Sequence, residues 1–179
     1  MHAIISEIDY QSSQKVSNIW QNLCESCGLE AIFNIPTPHF TWLIAQEFEI
    51  DAVDLKLSAI IDSCPKVKTH TFGFGVFSGR NPVLHLPMVK SLEMIHFHQK
   101  IWDQIQPFCR ELNLYYSPKM WLPHITLALK DLNVSNILCA VDVLAGESLE
   151  LSVTMTSLAI AELEDDNIGQ LLKQYPVDV

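Results

Sequence analysis

The sequence predicts an α+β fold made of two similar lobes, and three observations lead to this prediction. The phrase Pro38-His39-Phe40-Thr41 recurs as Pro123-His124-Ile125-Thr126. The same order of a helix, a PHxT strand, a helix and two strands surrounds each copy. A composition of 49% hydrophobic and 18% charged residues over 179 positions is typical of a globular protein with a sizeable core. We therefore expect a single bilobal domain over residues 1–179, with a first repeat at about 1–90 and a second at about 91–179.

The first elements follow from hydrophobic periodicity and capping residues. After an opening strand, Ser12 or Ser13 is expected to cap a helix that ends at Gly28. The PHFT strand is expected to run to about Ala45, and Asp51 is expected to cap a second helix. The remaining predicted elements, in chain order, are strands at 71–77 and 83–88, a helix from Ser91, the PHIT strand at 121–129, a helix after Asn133 or Ser135 that ends at Gly146, and strands at 149–162 and 170–177 around a turn at 165–169.

The two PHxT strands are predicted to present histidine and threonine on one face. Successive side chains of a strand alternate between faces, so His39 and Thr41 share a face and the large apolar residues between them point the other way. The same alternation holds for His124 and Thr126. If the lobes meet about a pseudo-two-fold axis, the two pairs converge on one cleft.

Two facing imidazoles suit general acid and base catalysis. The ordinary histidine pKa of about 6.5 lets either protonation state be populated near neutrality. One imidazole can take a proton from a nucleophile while the other donates a proton to the leaving oxygen. Threonine hydroxyls beside them can donate hydrogen bonds to phosphoryl oxygens, and this chemistry needs no metal or other cofactor. The residues leave open which histidine is the base.

The paired motifs and the two hairpins resemble the 2H phosphoesterase superfamily, in its 2′-5′ RNA ligase or cyclic phosphodiesterase branch. The resemblance implies two antiparallel sheets with flanking helices around a central groove. It implies that His39 and His124 are catalytic and that Thr41 and Thr126 bind phosphate. The implied function is metal-independent hydrolysis of 2′,3′-cyclic or 2′-5′ linked ribonucleotide phosphodiesters. Two alternatives stay open, which are a 2′-5′ RNA ligase and a non-catalytic module that binds nucleotides or RNA ends.

The segment that leads into the second motif supplies candidate substrate-binding residues. Lys119 is a candidate phosphate contact, and Tyr116 is a candidate surface for stacking a base. Tyr115 and Trp121 are further stacking candidates. For each of these residues the alternative, an ordinary surface cation or core aromatic, is favoured.

The net charge of −10 bears on the partners of the protein. An acidic surface repels long polyanions, so long duplex nucleic acid is an unfavourable partner. A small nucleotide or an RNA end remains compatible, because one or two cations can hold a short phosphate. We also expect a monomer, no membrane association, and a cytoplasmic location, because the chain lacks a long apolar segment and a basic leader.

The cysteines and two further histidines are not expected to form redox or metal sites. The five cysteines are odd in number and irregularly spaced, so we expect reduced thiols, in agreement with a cytoplasmic location. The pair Cys24 and Cys27 forms a CxxC at the end of a predicted helix, where neither a redox nor a zinc site is favoured. His96 and His98 are interpreted as surface histidines rather than metal ligands.

Overall fold

The computed structural model of the chain describes residues 1–62, 64, 66–164 and 167–177. Over these residues the protein is α+β, with antiparallel sheets, as predicted. The α-helices are α1 Tyr10–Cys27, α2 Ile50–Ile61, α3 Leu92–Ile105 and α4 Ile137–Ala145. The strands are β1 His2–Glu7, β2 His39–Phe48, β3 Lys68–Thr71, β4 Gly75–Phe77, β5 Val83–Pro87, β6 Cys109–Leu112, β7 His124–Ala128, β8 Leu151–Thr154, β9 Ser157–Glu164 and β10 Asn167–Pro176.

The strands of the described residues form three sheets that combine both halves of the chain. A five-stranded sheet has the order β10-β9-β1-β2-β6, a three-stranded sheet has the order β4-β5-β7, and β3 pairs with β8. The first PHxT strand, β2, therefore lies between β1 from its own half and β6 from the other half. The second PHxT strand, β7, pairs with β5 from the other half. The two halves of the chain are interleaved in the folded protein.

One large hydrophobic cluster underlies both PHxT strands. Its buried side chains include Trp42 of β2, Leu84 of β5 and Ile125 of β7, each with no exposed surface. All four α-helices contribute to the same cluster. Burial of each such side chain stabilises the fold by about 1.5–3 kcal/mol, so the motif strands are rigidly supported from beneath.

The ends of α1 test the predicted capping residues. Gly28 ends the helix as predicted, and it adopts the left-handed conformation with φ of 69°. The N-cap is Asp9, whose carboxylate accepts a hydrogen bond from the backbone N–H of Ser12 at 3.0 Å. The prediction that Ser12 or Ser13 caps the helix is therefore wrong, because the carboxylate of Asp9 takes this role one turn earlier.

The other helices begin within a few residues of their predicted starts. Ser91 caps α3 as predicted, and its hydroxyl accepts from the N–H of Met94. The prediction that Asp51 caps α2 is wrong, since the N-cap is Glu49 and Asp51 lies in the first turn. A carboxylate in the first turn still stabilises the helix through the helix dipole. The α4 helix begins only after Asn136, later than either predicted cap.

Two predicted strands are each divided between different sheets. The strand predicted at 71–77 becomes β3 and β4, because Gly73 between them adopts a φ of 67°. The strand predicted at 149–162 becomes β8 and β9, which pair with β3 and β1 respectively. No turn residue marks this second crossover, so the sequence carried no signal for it. The β6 strand was not predicted, and the predicted turn at 165–169 lies partly outside the described residues, with 167–169 belonging to β10.

A disulfide bond joins Cys27 at the end of α1 to Cys139 in α4. The prediction of five reduced thiols is therefore wrong, while Cys24, Cys64 and Cys109 remain thiols. The partners are 112 residues apart in sequence, and only the packing of α1 against α4 brings their Cα atoms to 5.8 Å. The cytoplasmic location stays a prediction and loses the support of the cysteine argument.

No helix in the described part of the chain has both the length and the apolar character needed to cross a membrane.

Candidate active site

The two PHxT strands have the same pattern of burial. In β2, His39 and Thr41 are partly exposed, and the residues that alternate with them are buried. In β7, His124 and Thr126 are partly exposed and alternate in the same way with buried residues. The predicted division of the two faces is confirmed. Large apolar side chains fasten each strand to the core and leave its histidine and threonine on the opposite face.

Each motif threonine is followed by a β-bulge. Between β1 and β2 the pairing passes from Thr41 to Leu43, so Trp42 has no partner in the ladder. Between β5 and β7 the pairing passes from Thr126 to Ala128, so Leu127 is the residue without a partner. A bulge bends the strand and redirects its side chains. The two copies therefore share a backbone bulge as well as the four-residue PHxT motif.

Both motif histidines make the same backbone hydrogen bond. The Nδ1 atom of His39 lies 2.9 Å from the carbonyl oxygen of Thr37, and Nδ1 of His124 lies 2.7 Å from that of Leu122. A carbonyl oxygen only accepts, so each Nδ1 carries the proton in this hydrogen bond. In the neutral imidazole this leaves the lone pair on Nε2. Both rings are thus held in the tautomer whose Nε2 can accept a proton.

An indole N–H from the opposite half of the chain binds each motif strand. Nε1 of Trp121 donates to the carbonyl of Thr41 at 2.9 Å. Nε1 of Trp20 donates to the carbonyl of Thr126 at 3.0 Å. Trp121 is 2% exposed and Trp20 5%, so both hydrogen bonds lie in largely buried surroundings. The tryptophans brace the two motifs reciprocally, since each belongs to one half and holds the strand of the other.

The fold brings the two motif strands together. Residues of β2 and β7 approach within 8 Å between Cα atoms. His39 and His124 are close enough for the charge of one to affect the protonation of the other. The two histidines therefore belong to one electrostatic site.

Burial controls the protonation of both histidines. Burial, against the opposing effect of the Thr37 carbonyl and with a smaller contribution from the charge of His124, lowers the pKa of His39 to about 4. Burial also lowers the pKa of His124 below its ordinary value of 6.5, and the Leu122 carbonyl opposes that shift. Both imidazoles are consequently neutral in most molecules at pH 7.

A third histidine lies beside the second motif, and the sequence analysis missed it. His85 of β5 lies directly opposite Thr126 in the antiparallel ladder, and its ring centroid is 5.2 Å from that of His124. Phe77 of β4 stacks on His85 with centroids 3.9 Å apart and meets His124 edge to face at 4.9 Å. Only the pairing of β5 with β7 creates this cluster, so no local sequence signal indicated it.

The candidate substrate residues have different environments. Lys119 is exposed, between the short 3₁₀ helix Leu114–Tyr116 and β7. Tyr116 is partly buried against the main hydrophobic cluster, and burial raises its pKa to about 12. Tyr115 is 75% exposed. Substrate binding by Lys119 and Tyr116 stays a prediction.

Trp121 and His98 are both buried. Trp121 stacks on His98 with centroids 3.9 Å apart, so it is a core aromatic, the favoured alternative, and not a surface for stacking a base. His98 is 2% exposed, so its interpretation as a surface histidine is wrong. Its Nε2 atom lies 3.0 Å from the carbonyl oxygen of Trp42, within the bulge of β2. His98 and Trp121 together support the backbone of the first motif.

A surface cavity of about 200 Å³ lies apart from the motif strands, between α1 and the segment after α4. Its lining includes Lys15, Asn22 and Glu147 but none of the four motif residues. Among the described residues, no three histidine, cysteine, aspartate or glutamate side chains form a group that could hold a metal ion.

The fold and the paired His-x-Thr strands define the class of protein to which this chain belongs. A model of the 2′-5′ RNA ligase superfamily matches residues 12–167, a range that includes both motifs. The chain belongs to the 2′-5′ RNA ligase superfamily, and the resemblance to the 2H phosphoesterases is confirmed. A search of curated proteins returned no match.

Proposed function

We propose that the protein hydrolyses 2′,3′-cyclic or 2′-5′ linked ribonucleotide phosphodiesters by paired-histidine catalysis without a metal ion. The observation that carries this proposal is the equivalent environment of His39 and His124, whose Nδ1 atoms are both held by the carbonyl two residues earlier. Because Nδ1 is bound to a carbonyl in both rings, Nε2 is the atom that exchanges a proton: it accepts one in the neutral base and donates one in the protonated acid. Membership of the superfamily supports the same chemistry.

In the proposed reaction His39 is the base and His124 the acid. Nε2 of His39 takes a proton from the attacking water as its oxygen forms a bond to phosphorus. Nε2–H of His124 gives a proton to the ribose oxygen as the bond from that oxygen to phosphorus breaks. With a 2′,3′-cyclic nucleotide the product is a ribonucleoside monophosphate, and one proton returns from His39 to His124 through solvent to complete the cycle.

The electrostatic surroundings of the two histidines support this assignment of roles. The pKa of His39, about 4, keeps that imidazole neutral and able to accept a proton. Burial also lowers the pKa of His124. In contrast to His39, the charge of another histidine does not contribute to this shift. A bound phosphodiester anion stabilises the imidazolium form of His124, so substrate binding favours the state in which it can donate.

Thr41 and Thr126 are proposed to bind the phosphoryl oxygens. Each lies two residues after its histidine on the same face of its strand, and each is partly exposed. A hydroxyl on each side of the phosphorus can donate to a non-bridging oxygen and stabilise the charge that develops there.

Product analysis by chromatography tests the proposal. The purified protein is incubated with 2′,3′-cyclic AMP, 2′-5′ linked ApA or 3′-5′ linked ApA, with a chelator present. Turnover of a cyclic or 2′-5′ substrate is expected, and His39→Ala and His124→Ala should each lower it by about 10²–10⁴-fold. His96→Ala is the matched control, because His96 is exposed on α3 and lies outside both motif strands.

Other results would replace the proposal. Wild-type turnover in His39→Ala would exclude paired-histidine catalysis. Thermal stabilisation by the nucleotides without product would favour a binding module. Formation of a 2′-5′ bond from RNA ends that carry a 2′,3′-cyclic phosphate and a 5′-hydroxyl, at a rate above hydrolysis, would favour the ligase.

A further inference from the structure

His85 shares a face of the three-stranded sheet with both residues of the second motif. In the ladder between β5 and β7, His85 lies opposite Thr126 and Pro87 lies opposite His124. Residues opposite each other in an antiparallel pair point to the same face, as do residues two apart in one strand. His85, Thr126 and His124 therefore project from the same side.

Gly75 provides the space that the His85 ring occupies. In the ladder between β4 and β5, Gly75 lies directly opposite His85. A Cβ atom at Gly75 would come within 2.7 Å of Nε2 and 2.9 Å of Cε1 of His85. These separations are shorter than van der Waals contact, so any larger residue at Gly75 displaces the imidazole. Phe77 stacks on the ring at an interplanar angle of 15° and restricts its movement further.

Three contacts restrain the ring of His124. Its Nδ1 atom is held by the carbonyl of Leu122 at 2.7 Å. Phe77 meets the ring at an interplanar angle of 81°, and His85 meets it at 66°. Two aromatic neighbours at these angles limit rotation about the Cβ–Cγ bond of His124. The direction in which Nε2 points therefore depends on where His85 sits.

We propose that His85, seated over Gly75 and stacked on Phe77, is a positioning residue that orients His124 in the active site. The expected effect of His85 on catalysis rests on the proposed function. The expected effect of His85 on the orientation and pKa of the His124 ring does not.

The charges around His124 are compatible with this role. Among the described residues, the titratable groups that interact with His124 are His85 from β5 and His39 from β2. Burial and, to a smaller extent, the charge of His124 lower the pKa of His85 to about 4. His85 therefore remains neutral when His124 takes up a proton, and it acts on that residue as an uncharged ring.

The experiment combines imidazole NMR with kinetics in variants of the full chain. Long-range ¹H–¹⁵N spectra report the tautomer and pKa of His124, which is assigned with His124→Gln. His85→Ala opens the ring of His124 to water, so its pKa should rise towards 6.5. In the same variant kcat should fall about tenfold with KM within about twofold, because orientation rather than binding is lost. His85→Phe retains an aromatic wall and should keep both the pKa and most of kcat.

The glycine provides an independent test of ring position. Gly75→Ala displaces the His85 imidazole and should lower kcat to a similar extent. In the double variant Gly75→Ala/His85→Ala the added methyl group meets no ring, so kcat should match that of His85→Ala alone. His96→Ala is the surface histidine control, and circular dichroism establishes that each variant is folded.

Two results would overturn the proposal. One is an unchanged pKa and tautomer of His124 in folded His85→Ala, and the other is a full additional loss of kcat from Gly75→Ala in the His85→Ala background. If the wild-type protein shows no turnover on any substrate, the proposed function fails, and the NMR comparison still decides whether His85 orients His124.

Discussion

The two PHxT strands have the same local chemistry in different surroundings. β2 is ten residues long and lies inside a five-stranded sheet, between β1 and β6. β7 is five residues long and lies at the edge of a three-stranded sheet, where it pairs with β5. Nevertheless both strands carry a bulge after the threonine, a carbonyl-bound Nδ1 and an indole hydrogen bond. These local features do not depend on the size of the sheet that contains them.

The surroundings distinguish the histidines where the motifs do not. His124 lies against the aromatic rings of Phe77 and His85. The pKa of His39 falls to about 4 through burial and the charge of His124. The comparison teaches that a duplicated motif can supply two imidazoles with the same local hydrogen bond, while the non-equivalent strands around them give His124 ring neighbours of its own.

The largest expected effect separates the base from the acid. On a cyclic substrate, His39→Gln and His124→Gln should each reduce kcat by about 10²–10⁴-fold. A 3′-deoxyribonucleoside 2′-(4-nitrophenyl) phosphate has no neighbouring hydroxyl to attack phosphorus, so water remains the nucleophile, and its leaving group needs little protonation. On this substrate His124→Gln should recover most of its activity and His39→Gln should not. Release of 4-nitrophenolate measures both rates. Recovery by His39→Gln instead would reverse the assignment.

The threonines should contribute more equally than the histidines. Thr41→Val and Thr126→Val keep the shape of the side chain and remove the hydroxyl donor. Each should lower kcat/KM by about 10²-fold, because a preorganised donor to the developing charge is lost. Steady-state kinetics with 2′,3′-cyclic AMP measure the effect. A loss confined to one variant would show that phosphate is held on one side only.

The pH dependence follows from the two lowered pKa values. His39 must be neutral and His124 protonated, so kcat/KM should rise with pH through about 4 and fall above the pKa of His124, which lies below 6.5. The maximum is therefore expected on the acidic side of neutrality, with about a tenfold decrease per pH unit beyond either limb. Initial rates from pH 3.5 to 8 measure the profile, provided that circular dichroism shows the protein folded throughout. A maximum above pH 7 would contradict the assignment.

The indole braces should have smaller effects. Trp121→Phe and Trp20→Phe keep an aromatic ring and remove the N–H that binds the carbonyl of Thr41 or Thr126. Loss of one hydrogen bond should lower the free energy of unfolding by about 1 kcal/mol. Displacement of the bulge should lower kcat about fivefold. Denaturant unfolding and kinetics measure the two quantities.

The two tryptophan variants can be compared with each other. Because the two indole bonds are equivalent, both variants should show similar losses. Unchanged kcat in both, together with lower stability, would mean that the braces support the fold without positioning the motifs.

The disulfide should affect activity least. Cys27→Ser removes the link between α1 and α4, and the protein should lose about 2–4 kcal/mol of stability. Turnover at 25 °C should change by no more than about twofold, because the motif strands retain their own core contacts. Thermal unfolding of Cys27→Ser measures the effect. Cys24→Ser, which changes a free cysteine of the same helix, is the control. Equal unfolding temperatures in the two variants would contradict a stabilising disulfide.

Much of the local structure could be predicted because it depends on neighbours in sequence. Gly28 ends α1, Ser91 begins α3, and the PHxT strands alternate as expected, since capping and alternation act within a few residues. Local signals failed where two residues competed for one role, as Asp9 did with Ser12. They also failed between β8 and β9, where the chain changes sheets without a turn residue.

The sequence by itself determined the duplicated His-x-Thr motif and the faces on which those side chains lie. Only the tertiary structure decided that His85 lies beside His124, that Trp20 and Trp121 brace opposite motifs, and that Cys27 meets Cys139. The physical reason is the range of the interactions. Periodicity and capping are written within one element, whereas strand register and helix packing depend on contacts between residues far apart in the chain.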